Sequence, residues 1–279
     1  MKAVEVKGLA KSYGDHEALR GVDFSIEVGE VFGLLGPNGA GKTTTVEILE
    51  GYRRRDGGTV EVLGIDPAHG NSAWRRRVGV VLQSSSFYPA LSVGESLRIF
   101  GRYYERPRDA DEVAEIVGLS DKRDARVRTL SGGQKRRLDL GLALIGDPEL
   151  IFLDEPTTGF DPGARRNAWD TIRNLRSLGK TILLTTHYLD EAEQLADRVA
   201  VLRRGSIIRE GTPAELTGGA VDTEIRFLRD GAKVVEHTRE PTRRLNELTA
   251  EAIARGEELD ELEVLRPTLE DVYLELTAE

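Results

Sequence analysis

The 279-residue chain contains no cysteine. Disulfides, thiolate catalysis and cysteine-based zinc sites are therefore excluded. Long apolar runs are missing too: VFGLLG and TILLTT are the longest, far short of the ~20 residues of a membrane-spanning helix. No segment is expected to cross a bilayer. The N-terminal MKAVEVKGLAKSYG alternates instead of offering an apolar signal region, so the expected location is the cytoplasm. Nor is there an excess of positive charge. Thirty-nine basic residues against 48 acidic ones give a net charge of -9, which argues against general binding to nucleic acid or anionic lipid. The RRR runs at 53–55 and 75–77 read as solvated faces. Internal repeats and low-complexity tracts are absent.

What remains has the composition of an ordinary globular protein, 39% hydrophobic and 31% charged, long enough for one large domain or one domain with an appendage. The first part is β-rich. AVEVKGL, ALRGVDFSIEVGE, VFGLLG, GTVEVLG and RVGVVLQ read as strands, and KTTTVEILEGY as a helix. From about 84 to 150 the pattern turns helical, with Leu97, Phe100 and Tyr104 at helical steps and DEVAEIVGL repeating the theme. Two buried strands follow, ELIFLDEP and KTILLTTH. The helix between them starts near Gly163 and puts Trp169, Ile172, Leu175 and Leu178 on one face. Such alternation implies a parallel sheet covered on both sides. After Pro213, TGGAVD suggests a linker to an α+β appendage of two strands, the helix PTRRLNELTAEAIARG, an acidic strand and a final helix TLEDVYLELT.

GPNGAGKT, from Gly36, matches the phosphate-binding P-loop and stands between a buried strand and a helix, as that loop requires. Glycines let successive NH groups turn toward phosphate oxygens. Lys42 would reach the β and γ phosphates, and the Thr43 hydroxyl would hold magnesium. Hydrolysis also needs a carboxylate for the metal and a group to activate water. LIFLDE supplies both: Asp154 for the magnesium shell and Glu155 as general base. Gln83 and His187 also end apolar strands. Because ligands of open parallel sheets bind at the carboxyl ends of the strands, Gly36, Gln83, Glu155 and His187 should gather on one edge.

A second glycine-rich helix start follows a hundred residues on. In LSGGQ, Ser131 suits an N-cap, Gly132 and Gly133 permit close backbone approach, and QKRRLDLGLALI continues a helix from Gln134. It is either a plain capped helix or a second anion site.

LSGGQ with GPNGAGKTT, Gln83, LIFLDEP and His187, in that order and spacing over residues 2–215, resembles the nucleotide-binding subunit of ATP-binding-cassette transporters. The resemblance implies a P-loop NTPase core of class α/β, residues 1–215, with a β-rich subdomain, a helical subdomain inserted at about 84–150, and an appendage at 216–279. It implies ATP and Mg2+ as ligands and a head-to-tail dimer with a second copy, in which Ser131–Gln134 closes over the partner's nucleotide. Position by position, Tyr13 in KSYG would stack on adenine. Gly36, Pro37, Asn38, Gly39, Ala40, Gly41, Lys42, Thr43 and Thr44 would hold phosphates and metal. Gln83 would sense both and link to the helical insertion, His187 would act beside Glu155, and Asp161 in TTGFDP would cross to the partner site. Phe160 stands where leucine is more usual.

No segment spans a membrane, so the resemblance implies a separately encoded permease, with this chain peripheral on the inner face of the cell membrane. Five of the fourteen Phe and Tyr residues fall between Phe87 and Tyr104, which suits either a partner-binding groove or the core of the helical subdomain. TTTVEILEGYRRRDGGTVEVLGIDP and the tail LRPTLEDVYLELT are similar to bacterial exporters of the daunorubicin-resistance type, implying efflux of a drug or other amphiphile. The competing reading is a cytosolic cassette protein acting on nucleic acid or the ribosome. Proteins of that kind usually carry two cassettes or a long coiled-coil insertion, and the acidic charge disfavours them.

Overall fold

The computed structural model describes residues 1–82, 88–217, 222–229, 231–265, 268–270 and 273. The chain divides into two compact units, Met1–Glu210 and Gly211–Glu279. That break lies slightly ahead of the composition shift after Pro213 and of the boundary after residue 215 that the resemblance implies.

The first unit opens with strands β1 (Lys2–Tyr13), β2 (His16–Glu27) and β3 (Val31–Leu35), followed by helix α1 (Lys42–Leu49) and strand β4 (Gly57–Val62). The short helix α2 (Ser72–Arg75) leads into β5 (Val78–Val81). Three helices make the insertion: α3 (Val93–Gly101), α4 (Ala110–Ile116) and α5 (Gly132–Leu144). Then come β6 (Leu150–Asp154), α6 (Pro162–Ser177), β7 (Thr181–Thr186), α7 (Leu189–Leu195), β8 (Arg198–Arg203) and β9 (Ser206–Gly211).

Two sheets result. One is antiparallel, in the order β2-β1-β4; the other has six strands in the order β5-β6-β7-β3-β8-β9, with β5 to β8 parallel wherever they pair. Alternation along β6 shows why its strands are continuously apolar. Leu150 and Phe152 join the core shared with Val4, Phe24, Phe32 and Leu34 of the β-rich side. Ile151 and Leu153 point the other way, into the core built with Leu97, Val113, Leu138 and Ile172 of the helices. Both faces of the parallel sheet are therefore covered, and no polar residue is tolerated mid-strand. Phe24 stacks on Phe32 with ring centroids 5.3 Å apart, pinning the two sheets together.

The helical face of α6 is as expected for Ile172 and Leu175, which are buried, and for Trp169, which packs against the same core. Leu178 differs: it caps the helix C-terminus and is exposed, because the periodicity stops one turn earlier. The aromatic cluster divides its roles. Phe100 and Tyr104 pack against the helical core, Tyr88 and Tyr103 are exposed, and Phe87 lies outside the described residues. The arginine runs are less free than their sequence suggests. Arg53, Arg55, Arg76 and Arg77 pair with Glu47, Asp66, Glu105 and Glu149.

The second unit holds α8 (Pro213–Thr217), β10 (Thr223–Arg229), β11 (Ala232–Thr238), α9 (Pro241–Arg255) and β12 (Asp260–Leu265). Its sheet is antiparallel in the order β11-β10-β12. Ile225, Phe227 and Leu248 form a small core with Val234 and Leu245 packed against it. Most of the expected final helix lies outside the described residues.

Candidate active site

The sheet order places β6, β7 and β3 side by side, so the loops leaving their carboxyl ends are neighbours. The loop after β3 runs from Gly36 to Gly41, with Gly39 and Gly41 at φ of 80° and 111°, where side-chain-bearing residues are strained. A Cβ on Gly36 would sit 2.3 Å from the Leu202 carbonyl oxygen, and one on Gly41 2.7 Å from that of Ala18. These glycines are steric necessities of the turn. Lys42, 4% exposed, folds back so that Nζ donates to the carbonyls of Gly36 (2.6 Å) and Pro37 (3.3 Å). Its charge thus points into the loop that would receive phosphate.

The end of β6 faces this loop. Asp154 Oδ1 accepts from Thr185 Oγ1 at 2.5 Å, and Oδ2 lies 3.4 Å from the hydroxyl of Thr43. Glu155 takes a left-handed φ of 46°, so its side chain departs from the direction the strand would give it. Its backbone NH donates to Thr185 Oγ1 at 3.0 Å. Its carboxylate lies 3.3 Å from Lys42 Nζ and 3.3 Å from His187 Nδ1, and accepts from Thr158 Oγ1 at 3.1 Å. Burial pushes the Glu155 carboxyl up. The charge and hydrogen bond of Lys42, the Thr158 hydroxyl and the charge of His187 outweigh that, so the carboxyl sits below its ordinary range. It is held as a carboxylate, the form that can accept a proton from water.

Tyr13, Pro37, Lys42, Thr43, Thr44 and Glu155 share a cleft of about 350 Å³ that also takes in Asn38, Gly39 and Gly41. Gly36 and Ala40 belong to the same loop but do not line the cleft. Tyr13 closes one side at the end of β1, partly exposed, with its hydroxyl 3.4 Å from Thr44 Oγ1 and the Arg53 guanidinium over its ring at 5.1 Å from the centroid. Gln83, expected beside the same edge, lies outside the described residues.

A second cleft, of about 490 Å³, shares no lining residue with the first. It is made by Ser131, Gly132, Gly133 and Gln134 together with Phe160 and Asp161. Ser131 caps α5 through a reciprocal pair: its Oγ accepts from Gln134 NH at 3.3 Å, and Gln134 Oε1 accepts from Ser131 NH at 2.9 Å. Asp161 caps α6, Oδ1 accepting from Ala164 NH at 2.8 Å. A Cβ on Gly133 would come within 3.4 Å of Ala164 Cβ, so the two helix starts converge on one surface. The sequence singled out Ser131 and Asp161 separately. The fold brings them together.

The family model of the ABC transporter matches residues 19–158. Daunorubicin resistance ATP-binding protein DrrA3 of Streptomyces coeruleorubidus is 42% identical over 99% of this chain and 96% of its own length. The chain belongs to the ABC transporter family. Nod factor export ATP-binding protein I of Bradyrhizobium diazoefficiens is 41% identical over the same shares, 99% and 96%. Among solved structures, a dimeric post-hydrolysis state of the ATP-binding cassette MJ0796 bound to ADP and phosphate superposes with a TM-score of 0.66 at 25% identity, over 75% of this chain and 98% of that one. The cassette is an ATP-binding, ATP-hydrolysing subunit of a transporter, and neither relative supports the nucleic-acid reading. Among the described residues, no helix is long and apolar enough to cross a membrane.

Three residues of this cassette's site were not anticipated. Thr158 and Thr185 bracket Glu155, and neither stands out in a sequence where threonine follows threonine in both segments. Arg136 does have a signal. It falls on the same face of α5 as buried Leu140 and Ala143, a cation one and two turns ahead of apolar residues, and it is itself buried.

Proposed function

We propose that this ATPase powers export of a drug or other amphiphilic molecule through a separately encoded membrane permease, bound at the inner face of the cell membrane. Support for the cargo class comes from the relatives named for daunorubicin resistance and Nod factor export. The observation that carries the mechanism is the pair of disjoint clefts: one with Lys42 and Glu155, one with Ser131 and Asp161. One nucleotide needs one phosphate cradle. Two dissimilar half-sites are complementary when two copies meet head to tail, each cradle covered by the partner's Ser131–Gln134 turn.

In this reading Tyr13 stacks on adenine, and the backbone from Gly36 to Gly41 with Lys42 and Thr44 receives the phosphates. Thr43 and Asp154 present hard oxygen donors 3.4 Å apart, a set that suits Mg2+, which keeps most of its shell as water and phosphate. Gln83 would complete that set. When bound, the ion would neutralise charge on the β and γ phosphates. Glu155 accepts the proton of the attacking water, and His187 acts beside it, its Nδ1 3.3 Å from the same carboxylate though without a hydrogen bond among the described residues. Asp161 reports to the partner's site. Residues 1–215 form the working cassette, and 216–279 an appendage that keeps the dimer together.

Purification of the tagged chain from membranes tests this directly. A polytopic hydrophobic protein should copurify and stimulate ATP turnover in vesicles, with amphiphile moving outward. Copurification with ribosomes or DNA instead would replace the export reading.

A further inference from the structure

Something must hold Glu155 in its left-handed conformation, which a non-glycine residue adopts only where its surroundings over-determine it. On one side Thr185 does so, through the Glu155 NH. On the other side the partner comes from a distant element. Arg136 of α5 reaches across to the carboxyl end of β6, donating from Nε to the Pro156 carbonyl at 3.0 Å and from Nη2 to those of Asp154 (3.0 Å) and Glu155 (3.4 Å). Its Nη1 donates to the carbonyl of Leu82, just beyond β5. Three consecutive carbonyls around the strained residue are thus fixed by one planar guanidinium.

The side chain is 8% exposed, and its nearest carboxylate, Asp139 on the next turn of α5, lies 3.8 Å away. Burial lowers the Arg136 guanidinium from its ordinary value, opposed by the charges of Asp139, Asp154 and Glu191. A buried guanidinium spent largely on main-chain oxygens is costly to desolvate and gains little that an apolar side chain would not give to packing alone. Its geometry serves placement. Arg136 also stands five residues from Ser131, the N-cap of the same helix, or about 7.5 Å along a rigid rod. Any displacement of the Ser131–Gln134 turn is carried by α5 to the carbonyls of Asp154, Glu155 and Pro156.

We propose that Arg136 is a positioning residue that ties the Ser131–Gln134 turn to Glu155 of the same chain, so that the hydrolytic carboxylate is set by where α5 stands. The inference rests on Glu155 being the general base. Closing of the turn over one nucleotide then adjusts the base that serves the other, and the two sites of a dimer communicate through a single side chain in each subunit.

The test uses full-length protein carrying Arg136→Lys, which keeps the charge but cannot span the carbonyls, and Arg136→Gln as a second variant should the first not fold. Both are compared with Glu155→Gln. Expected is a fall in kcat of at least about tenfold, with the affinity for a fluorescent ATP analogue within about twofold of the parent, since displacement of a reacting group by a fraction of an ångström suffices. Mixed dimers localise the effect. One live composite site is built from a Ser131→Arg subunit, which supplies the cradle and Glu155, and a Lys42→Ala subunit, which supplies the turn. Arg136→Lys should silence that site when placed in the subunit bearing the live Glu155, although that subunit's own turn is already disabled. Silencing only from the other subunit, or unchanged kcat in a folded variant, would overturn the proposal; so would a loss of turnover that merely tracks a loss of folded protein. Retained turnover in Glu155→Gln, by contrast, would remove the general-base reading itself.

Discussion

Lys42 Nζ lies 3.3 Å from Glu155 Oε1, and both side chains are nearly buried. The cradle's cation and the carboxylate at the end of β6 therefore neutralise one another across the cleft where a γ-phosphate would sit. Phosphate would draw Lys42 toward itself and leave Glu155 to the attacking water. Glu155→Gln should then bind ATP at least as well as the parent, because a neutral side chain releases Lys42. Turnover should fall by about 10²–10⁴-fold, and the ATP-bound protein should elute as a dimer in size-exclusion chromatography. A variant that stays monomeric with ATP contradicts the two-copy site.

The same pair gives a pH dependence. Glu155 is held below its ordinary range in the folded chain, so its contribution to stability is present above the ordinary carboxylate value and is lost as pH falls through the folded one. Thermal melts of nucleotide-free protein should show a smaller loss of stability on acidification for Glu155→Gln than for the parent. Parallel acid profiles would mean that the Lys42 contact contributes nothing in solution.

Separate clefts make complementation a stringent test. Lys42→Ala protein keeps the Ser131 turn, and Ser131→Arg protein keeps the cradle; each alone should be inactive. Mixed, they should recover at most about a quarter of the parental turnover: half of randomly assorted dimers are mixed and each holds one live site of two, whose Glu155 belongs to the subunit with the disabled turn. Absence of any recovery, with mixed dimers shown by differential tags, would place both clefts' work within one subunit.

Much of this site was legible before any coordinates. The P-loop, Asp154, Glu155 and Ser131 are announced by glycine spacing, strand ends and a helix cap, all short-range signals, whereas Asp161 is reached only through the family resemblance. The ends of β3, β6 and β7 are neighbours because parallel order forces them to one edge, while Gln83 lies outside the described residues. Harder to read were features set by pairs distant in sequence. That Ser131 and Asp161 share a cleft depends on how α5 and α6 pack, and the left-handed turn at Glu155 depends on Thr185 and Arg136, 30 and 19 residues away. The arginines at 76 and 77 looked solvated since their carboxylate partners, Glu105 and Glu149, stand 29 and 72 residues away and leave no local trace.

Arg53 and Tyr13 offer a test of the adenine side. The Arg53 guanidinium, held by Glu47 at 2.5 Å, stands 5.1 Å from the Tyr13 ring centroid, within the range of a cation-π contact. Tyr13→Ala should weaken binding of a fluorescent ATP analogue by about tenfold, the loss of a stacking face. Arg53→Ala should weaken it several-fold by freeing the ring. The double variant should be no worse than Tyr13→Ala alone, since Arg53 acts through the ring. Additive losses would give Arg53 its own contact with nucleotide.

Glu50 makes the opposite electrostatic prediction to Glu155. At the C-terminal cap of α1 its Oε1 is buried with no hydrogen-bond partner among the described residues. Burial pushes its carboxyl up to about 8, with the charges of Asp154 and Glu47 adding to the shift. The folded chain therefore holds a proton that the unfolded chain gives up in the ordinary carboxylate range. Stability from this group is complete below that range and is lost as pH rises toward 8. Over several pH units the loss amounts to about 2–5 kcal/mol. Glu50→Gln keeps the shape and removes the titration. It should melt within a degree or two of the parent near pH 5 and several degrees above it near pH 8, where about 1 kcal/mol corresponds to about 2–4 °C for a chain of this size. A gap in melting temperature that stays constant between those two pH values would show that Glu50 ionises normally, with water or a nearby cation reaching its oxygen.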